Sequence, residues 1–352
     1  MTVSDKLKKN NALVPHVKVV PHQAHCFAFG GFDIQMLAAL EAARNAGVDV
    51  ARLDPWSRDA DFEIMHFWGL DIGHMANIHW SKQAGKAVIM TALLPYLTPL
   101  TWLRSIGARL IGLARQRRKL LSGVDQLVVV NRGQAVTARW MFGVPPGKVT
   151  VIPNIVSPCF FKARLVKQKA NGHVLCTGNI CRRKNQLALV HACRRANLPL
   201  LLIGSVLTGE EAYGDDVRNA MQCDVRMRWM PAIAHGSDEL IRAYQEASVF
   251  ALVSKSETQP ICLLEAAAVG CPLVIADLPY ARQEFYTGAV LVNPNSIDSI
   301  VNGLTRAFNH GEGQVTDINN VLACSQELVG QAYAELYRRV NQHHTRAGRQ
   351  IK

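Results

Sequence analysis

Along the chain, short blocks of β-branched and apolar residues alternate with polar loops and with longer stretches whose apolar residues recur every three or four positions. Up to residue 154 the blocks VKVVPHQA, FEIMHFWG, KAVIMTALL, QLVVVN and KVTVIPN read as strands, and IQMLAALEAARNAG reads as a helix. The pattern restarts with the strand HVLCTGN, a helix over NQLALVHACRRAN, the strands PLLLIGS and VRMRWMP, a helix over DELIRAYQEA, and the strand VFALVS. Repeated strand, loop and helix predict parallel sheets with helices on both faces. A length of 352 residues favours two such domains. The expected architecture is α/β, two Rossmann-like, doubly wound domains facing across a cleft. They span residues 1–160 and 171–330, with a linker at 161–170 inside SPCFFKARLVKQKANG. The spacing in SQELVGQAYAELYRRVNQHH predicts a long terminal helix. Its part over about 330–345 is expected to pack back onto the first domain.

Doubly wound sheets bind ligands outside the C-terminal ends of their strands, and one such end carries SETQPICLLEAAAVGCPLV, residues 256–274. SKSETQ breaks the strand before it, and Pro260 suits the start of a helix because its missing N–H is not needed there. Gly270 reads as the C-terminal cap, with Pro272 beyond it. Glu257 therefore lies in the loop and Glu265 one to two turns into the helix. The backbone N–H groups of Ile261, Cys262 and Leu263 are left to attract an anion. Taken alone, the two carboxylates read equally well as a solvated loop residue and a helix-face residue. Their place at a strand's C-terminal end favours a site.

These residues resemble the retaining glycosyltransferases of GT-B fold, particularly the large family 4. The likeness rests on the two Glu with seven residues between them followed by EAAAVGCPLV, on VTVIPNIV, on TGNICRRKNQ, and on the pair Gly30 and Gly31. The resemblance implies transfer of a sugar from a nucleotide-sugar donor to a glycan or lipid-linked acceptor with retention of configuration. It implies no cofactor besides the donor, and no metal. Glu257 would be the catalytic-site carboxylate that holds the donor sugar's hydroxyls, and Glu265 would hold the ribose. Lys184, with Arg182 and Arg183 beside it, would bind the diphosphate, and Gly31 would let a phosphate approach the backbone closely. The chemistry asks for the same residue types, because a departing nucleoside diphosphate builds negative charge that cations and helix N–H groups offset. Asn179 stands where a basic residue commonly follows the glycine, and Leu93 where many relatives carry a histidine. His22, His25 and His66 are the histidines left as candidates in the first domain. A glycoside phosphorylase or sugar-nucleotide epimerase of similar architecture is the rival enzyme, and a non-catalytic nucleotide or nucleic-acid binder the rival class.

Charge adds one feature. The net charge is +12, and residues 1–160 hold 18 Lys and Arg against 10 Asp and Glu, whereas the remainder holds 21 against 17. Much of this excess lies in TWLRSIGARLIGLARQRRKLL, residues 101–121. At helical spacing, Trp102, Leu103, Ile106, Leu110, Leu113, Leu120 and Leu121 share one third of the wheel there, opposite Arg104, Arg115, Arg118 and Lys119. A packed domain helix and an anionic membrane surface explain this pattern equally well. An aromatic content of 7% and the lack of any nucleic-acid motif argue against a nucleic-acid partner. No uninterrupted run of 18 apolar residues and no signal-peptide core is present, so the expected location is cytoplasmic, with peripheral membrane attachment as the alternative. Nine scattered cysteines without a C-x-x-C pair read as reduced residues, several of them in the core.

Overall fold

The structure, a computed structural model, describes residues 14–27, 30–98, 102, 112–165, 172–222, 224–314 and 317–350, with side chains in the last helix described as far as 346. The chain divides into two compact units, Met1–Ile155 with Gln326–Lys352, and Val156–Ser325.

The first unit is built on a six-stranded, all-parallel sheet. Its strands are β1 (His16–Val20), β2 (Asp49–Arg52), β3 (Ile64–Trp68), β4 (Ala87–Thr91), β5 (Gln126–Val129) and β6 (Val149–Val151), in the order β2-β1-β3-β4-β5-β6. Its helices are α1 (Gly31–Asn45), α2 (Met75–Gln83), α3 (Gly112–Ser122) and α4 (Arg132–Phe142). Every residue of β3, β4 and β5 is buried, as expected of central parallel strands covered on both faces. The unit is completed from the far end of the chain by α12 (Gln326–Gln350), the long helix foreseen from its spacing. Val329, Tyr333, Leu336, Tyr337 and Val340 form its buried stripe, packed with Met36, Ala39, Leu40 and Ala43 of α1. Gly330 permits this approach, because a Cβ there would stand 2.3 Å from the Ala42 carbonyl oxygen.

In the second unit another all-parallel sheet comprises β7 (Val174–Thr177), β8 (Leu200–Ile203), β9 (Met227–Met230), β10 (Val249–Leu252), β11 (Leu273–Ala276) and β12 (Val290–Val292). The order is β12-β11-β10-β7-β8-β9, the doubly wound arrangement whose direction of winding reverses between β7 and β10. The helices are α5 (Pro158–Leu165), α6 (Gln186–Arg195), α7 (Glu211–Met221), α8 (Asp238–Glu246), α9 (Ile261–Val269), α10 (Ile297–His310) and the short α11 (Ile318–Leu322). Residues 161–165, expected in a linker, are thus helical and belong to this unit. The reason is Phe160, which is fully buried and meets the Tyr244 ring edge-on at 5.5 Å. Residues 166–171 lie outside the described residues.

Candidate functional site

The winding reversal of the second unit brings together the loops that follow β7 and β10. After β10 the chain turns at Pro260 (φ −69°, ψ 126°), which precedes α9, and the helix stops at Gly270 in the left-handed region (φ 90°). The N–H groups of Ile261 and Cys262 have no acceptor among the described residues. Leu263 differs from expectation, since its N–H already donates to the Pro260 carbonyl at 3.2 Å. The open donors at this helix start are therefore the first two.

The loop after β7 is stitched to the loop after β10. The Lys255 N–H donates to the Arg183 carbonyl at 2.8 Å, and Arg183 Nη1 donates to the Ser256 carbonyl at 2.7 Å. Asn185, itself left-handed (φ 62°), donates through Nδ2 to the carbonyls of Val253 and Pro294. Glycine makes the strand ends close: a Cβ on Gly204 (φ 155°) would lie 2.1 Å from the Gly178 oxygen. A Cβ on Gly178 (φ 123°) would meet Lys184 Nζ at 3.2 Å, so the lysine lies directly over that glycine.

This architecture places Glu257 Oε1 2.8 Å from Arg183 Nη1 and 3.3 Å from Lys184 Nζ. Glu257 and Lys184 are nearly enclosed, whereas the Arg183 side chain is half exposed. Oε1 makes ion pairs but no hydrogen bond of good geometry, so its partners are electrostatic and exchangeable. Burial opposes the Lys184 charge, but the neighbouring Cys262 and Glu257 outweigh this and hold the ammonium above the ordinary lysine value. Arg182 does not join the group. It is exposed, 3.7 Å from Glu210, with its guanidinium over the Tyr213 ring.

Glu265, one turn into α9, is buried. Oε2 accepts from the Tyr244 hydroxyl of α8 at 2.8 Å, and Oε1 from His235 Nε2 at 2.7 Å. Tyr244 also shares a hydrogen bond with Thr177 at the end of β7, 2.8 Å away. Cys262 connects the two carboxylates: burial pushes its thiol up, Lys184 pulls it down, and both Glu257 and Glu265 push it up. Neither His235 nor Tyr244 was singled out from the sequence. They stand 30 and 21 positions from Glu265, and no local spacing links them. Trp229 near the end of β9 donates its Nε1–H to the Gly204 carbonyl at 2.8 Å.

In the first unit the winding reverses between β1 and β3, and here the expectations fare differently. Gly31 opens α1, but Asp33 of the same turn already accepts from the Gly30 N–H at 2.9 Å and places a carboxylate where an anion would sit. His22 and His25 each lie 3.4 Å from Asp33 Oδ1. A pocket of about 340 Å³ nearby is lined by His22, Gly69, Leu70, Asp71, Ile72, Leu113 and Arg117. His66 is a core residue of β3, fully buried between the Tyr337 hydroxyl and Thr91 Oγ1, each 2.8 Å away, and burial lowers its pKa to about 3. Residues 101 and 103–111 of the basic segment, Arg104 among them, lie outside the described residues. In the remainder, Leu120 and Leu121 are buried, while Leu113, Arg115 and Lys119 are exposed. No described helix is long and apolar enough to cross a membrane. Among the described residues no group of three His, Cys, Asp or Glu is placed to hold a metal ion, and none of the eight described cysteines forms a disulfide.

Taken together, two parallel six-stranded sheets with flanking helices, the second with a basic and carboxylate-lined winding reversal, define the GT-B fold expected from the sequence. Residues 171–310 match the family model of glycosyl transferases group 1. Among solved structures, the chain is similar to sucrose-phosphate synthase of Thermosynechococcus elongatus, with a TM-score of 0.64 and 16% identity over 96% of this chain and 99% of that one. It is also similar to HepE of Anabaena in complex with UDP, with a TM-score of 0.62 and 14% identity over 94% and 99%. A curated relative, the UDP-Gal:alpha-D-GlcNAc-diphosphoundecaprenol alpha-1,3-galactosyltransferase of Escherichia coli, is 26% identical over 179 residues. That match spans about half of each chain, 46% by coverage.

Proposed function

We propose that this protein is a glycosyltransferase that takes a sugar from a nucleotide-sugar donor, UDP-linked as in its relatives, and passes it to a lipid-linked or lipopolysaccharide-type acceptor with retention of configuration. The observation that carries this reading is the pairing of Glu257 with Arg183 and Lys184 at the start of a helix whose first N–H groups are open. A diphosphate arriving there takes over the two cations, and Glu257 is released toward the donor sugar's hydroxyls. Glu265, deeper on the same helix, receives the ribose. As the bond between the anomeric carbon and the phosphate oxygen breaks, its electron pair stays on the diphosphate. Lys184, Arg183 and the N–H groups of Ile261 and Cys262 then offset the new charge without a metal ion. The acceptor oxygen bonds to the same face of the anomeric carbon, and its proton passes to the departing phosphate oxygen.

The acceptor class follows the diphosphoundecaprenol substrate in the curated relative's name, and the exposed Arg115 and Lys119 of α3 suit a cytoplasmic enzyme attached to an anionic membrane surface. The decisive experiment measures slow donor hydrolysis over UDP-, GDP- and dTDP-sugars. Release of nucleoside diphosphate from one series, lost in Lys184→Ala, is the expected result. Absence of both binding and hydrolysis for every series would overturn the reading.

A further inference from the structure

The carboxylate of Glu265 has an inner partner and an outer one. The inner partner, Tyr244, is 1% exposed and bound also to Thr177. Burial and the neighbouring Glu265 hold its phenol well above the ordinary value, so it remains a donor. It has no route away from Oε2. The outer partner, His235, lies in the segment between β9 and α8 with its side chain 36% exposed, followed by Gly236 in the left-handed region (φ 73°). Its ring leans on Phe160 at 5.7 Å. Among the described residues nothing pairs with its second ring nitrogen. The α8 start is secured separately, by Ser237 accepting from the Leu240 N–H, so the imidazole can swing outward without unravelling a helix.

We propose that His235 is a further residue of the nucleoside subsite, a movable partner whose proton decides whether Oε1 of Glu265 is available to a ribose. This rests on the reading that Glu265 receives the ribose. With Oε2 held from inside, Oε1 is the oxygen an entering ligand reaches, and His235 occupies it. An imidazolium competes for a carboxylate strongly and a neutral imidazole weakly. The titratable groups around the pair are Tyr244 on α8, Cys262 on α9, and Cys159 and Lys162 on α5, with Asp238 and Glu239 following at the exposed start of α8. Among the described residues, only Glu265 is both anionic and in contact with the ring. Its hydrogen bond outweighs burial and lifts the imidazole above the ordinary value of 6.5. Below that raised value His235 is protonated and holds Oε1. Above it the proton leaves and the oxygen is released, so donor affinity rises with pH.

The test uses the full chain and UDP-glucose, whose doubly esterified diphosphate keeps its charge across the range studied, with GDP-mannose as a second probe. From about pH 6 to about pH 8.5, affinity is expected to rise and then level off once the imidazole has lost its proton. His235→Ala and His235→Asn are expected to bind at the higher affinity throughout, with no pH dependence. By NMR the His235 imidazole titrates above the ordinary range, and returns to it in Glu265→Gln and on saturation with UDP-glucose. Affinity independent of pH in the parent, or lost at every pH in both His235 variants, overturns the proposal while leaving the donor site intact. If neither probe binds at any pH, the donor reading fails and the proposal fails with it.

Discussion

The two winding reversals of this molecule hold polar side chains in opposite ways. In the second unit, Glu257 meets Arg183 and Lys184 through ion pairs at the mouth of a helix, where one partner is half exposed and a ligand can trade places with the carboxylate. In the first unit, the central strand β3 carries His66, neutral, fully enclosed, and bound on both ring nitrogens by Tyr337 and Thr91. Nothing can replace those partners without opening the core. A charged cluster at a strand end is thus poised for exchange, whereas a satisfied neutral group inside a sheet serves packing.

The largest effect expected from breaking this contrast is that of Lys184→Ala. Removing an enclosed cation from a diphosphate contact costs up to about 3 kcal/mol, on the order of a hundredfold in UDP affinity. Calorimetry should find uridine binding far less affected. Equal losses for both ligands would mean that the second site is as structural as the first. Glu257→Gln comes next, because it leaves the cations unopposed. UDP affinity should be unchanged or higher, while turnover falls about tenfold or more, at roughly 1.4 kcal/mol per decade. A variant with parental turnover would remove Glu257 from the chemistry.

The third prediction concerns the first unit. The unfolded chain takes up a proton on His66 near pH 6.5, but the folded chain only near pH 3, so between these values the unfolded state binds more protons. Stability should therefore fall as pH drops from 6.5, by at most ~1.4 kcal/mol per pH unit from this residue. Unfolding of the parent and of His66→Gln, followed from about pH 7 to about pH 5, should show a shallower slope in the variant. Identical slopes would assign the acid sensitivity elsewhere. The smallest effect is expected of Arg115 and Lys119 changed together to Gln, which should weaken binding to anionic vesicles a few-fold at physiological salt, because exposed charges are screened. Equal binding of the parent to neutral and anionic vesicles would count against an electrostatic role for α3.

What was legible in the sequence was local. The helix after Pro260 and its stop at Gly270 follow from residues within one turn of each boundary, and both strand patterns follow from runs of apolar side chains. Glu257 and Glu265 were found because they share one loop and helix. The partners that define them were not visible as partners. Arg183 lies 74 positions before Glu257, and the contact depends on the order in which β7 and β10 pair. His235 and Tyr244 reach Glu265 from two other segments, and neither departs from what an ordinary loop or helix would carry. The linker was misread for the same reason. SPCFFKARL shows no clear period, and its helix is held by Phe160 against Tyr244, a contact that local pattern cannot reveal.

The return of α12 to the first unit also bears on how the protein is made. Residues 156–325 are contiguous, so the second unit can close its core as soon as they have been synthesised. The first unit begins earlier in the chain, yet its core needs Val329, Tyr333, Tyr337 and Val340. At the usual ribosomal rate of about 5–20 residues per second, the β-sheet of residues 16–151 must wait roughly 10–40 s with the apolar face of α1 uncovered. That exposed interval is when a chaperone would engage it. A chain arrested before residue 326 should accumulate as a folded second unit attached to an unfinished, aggregation-prone first one.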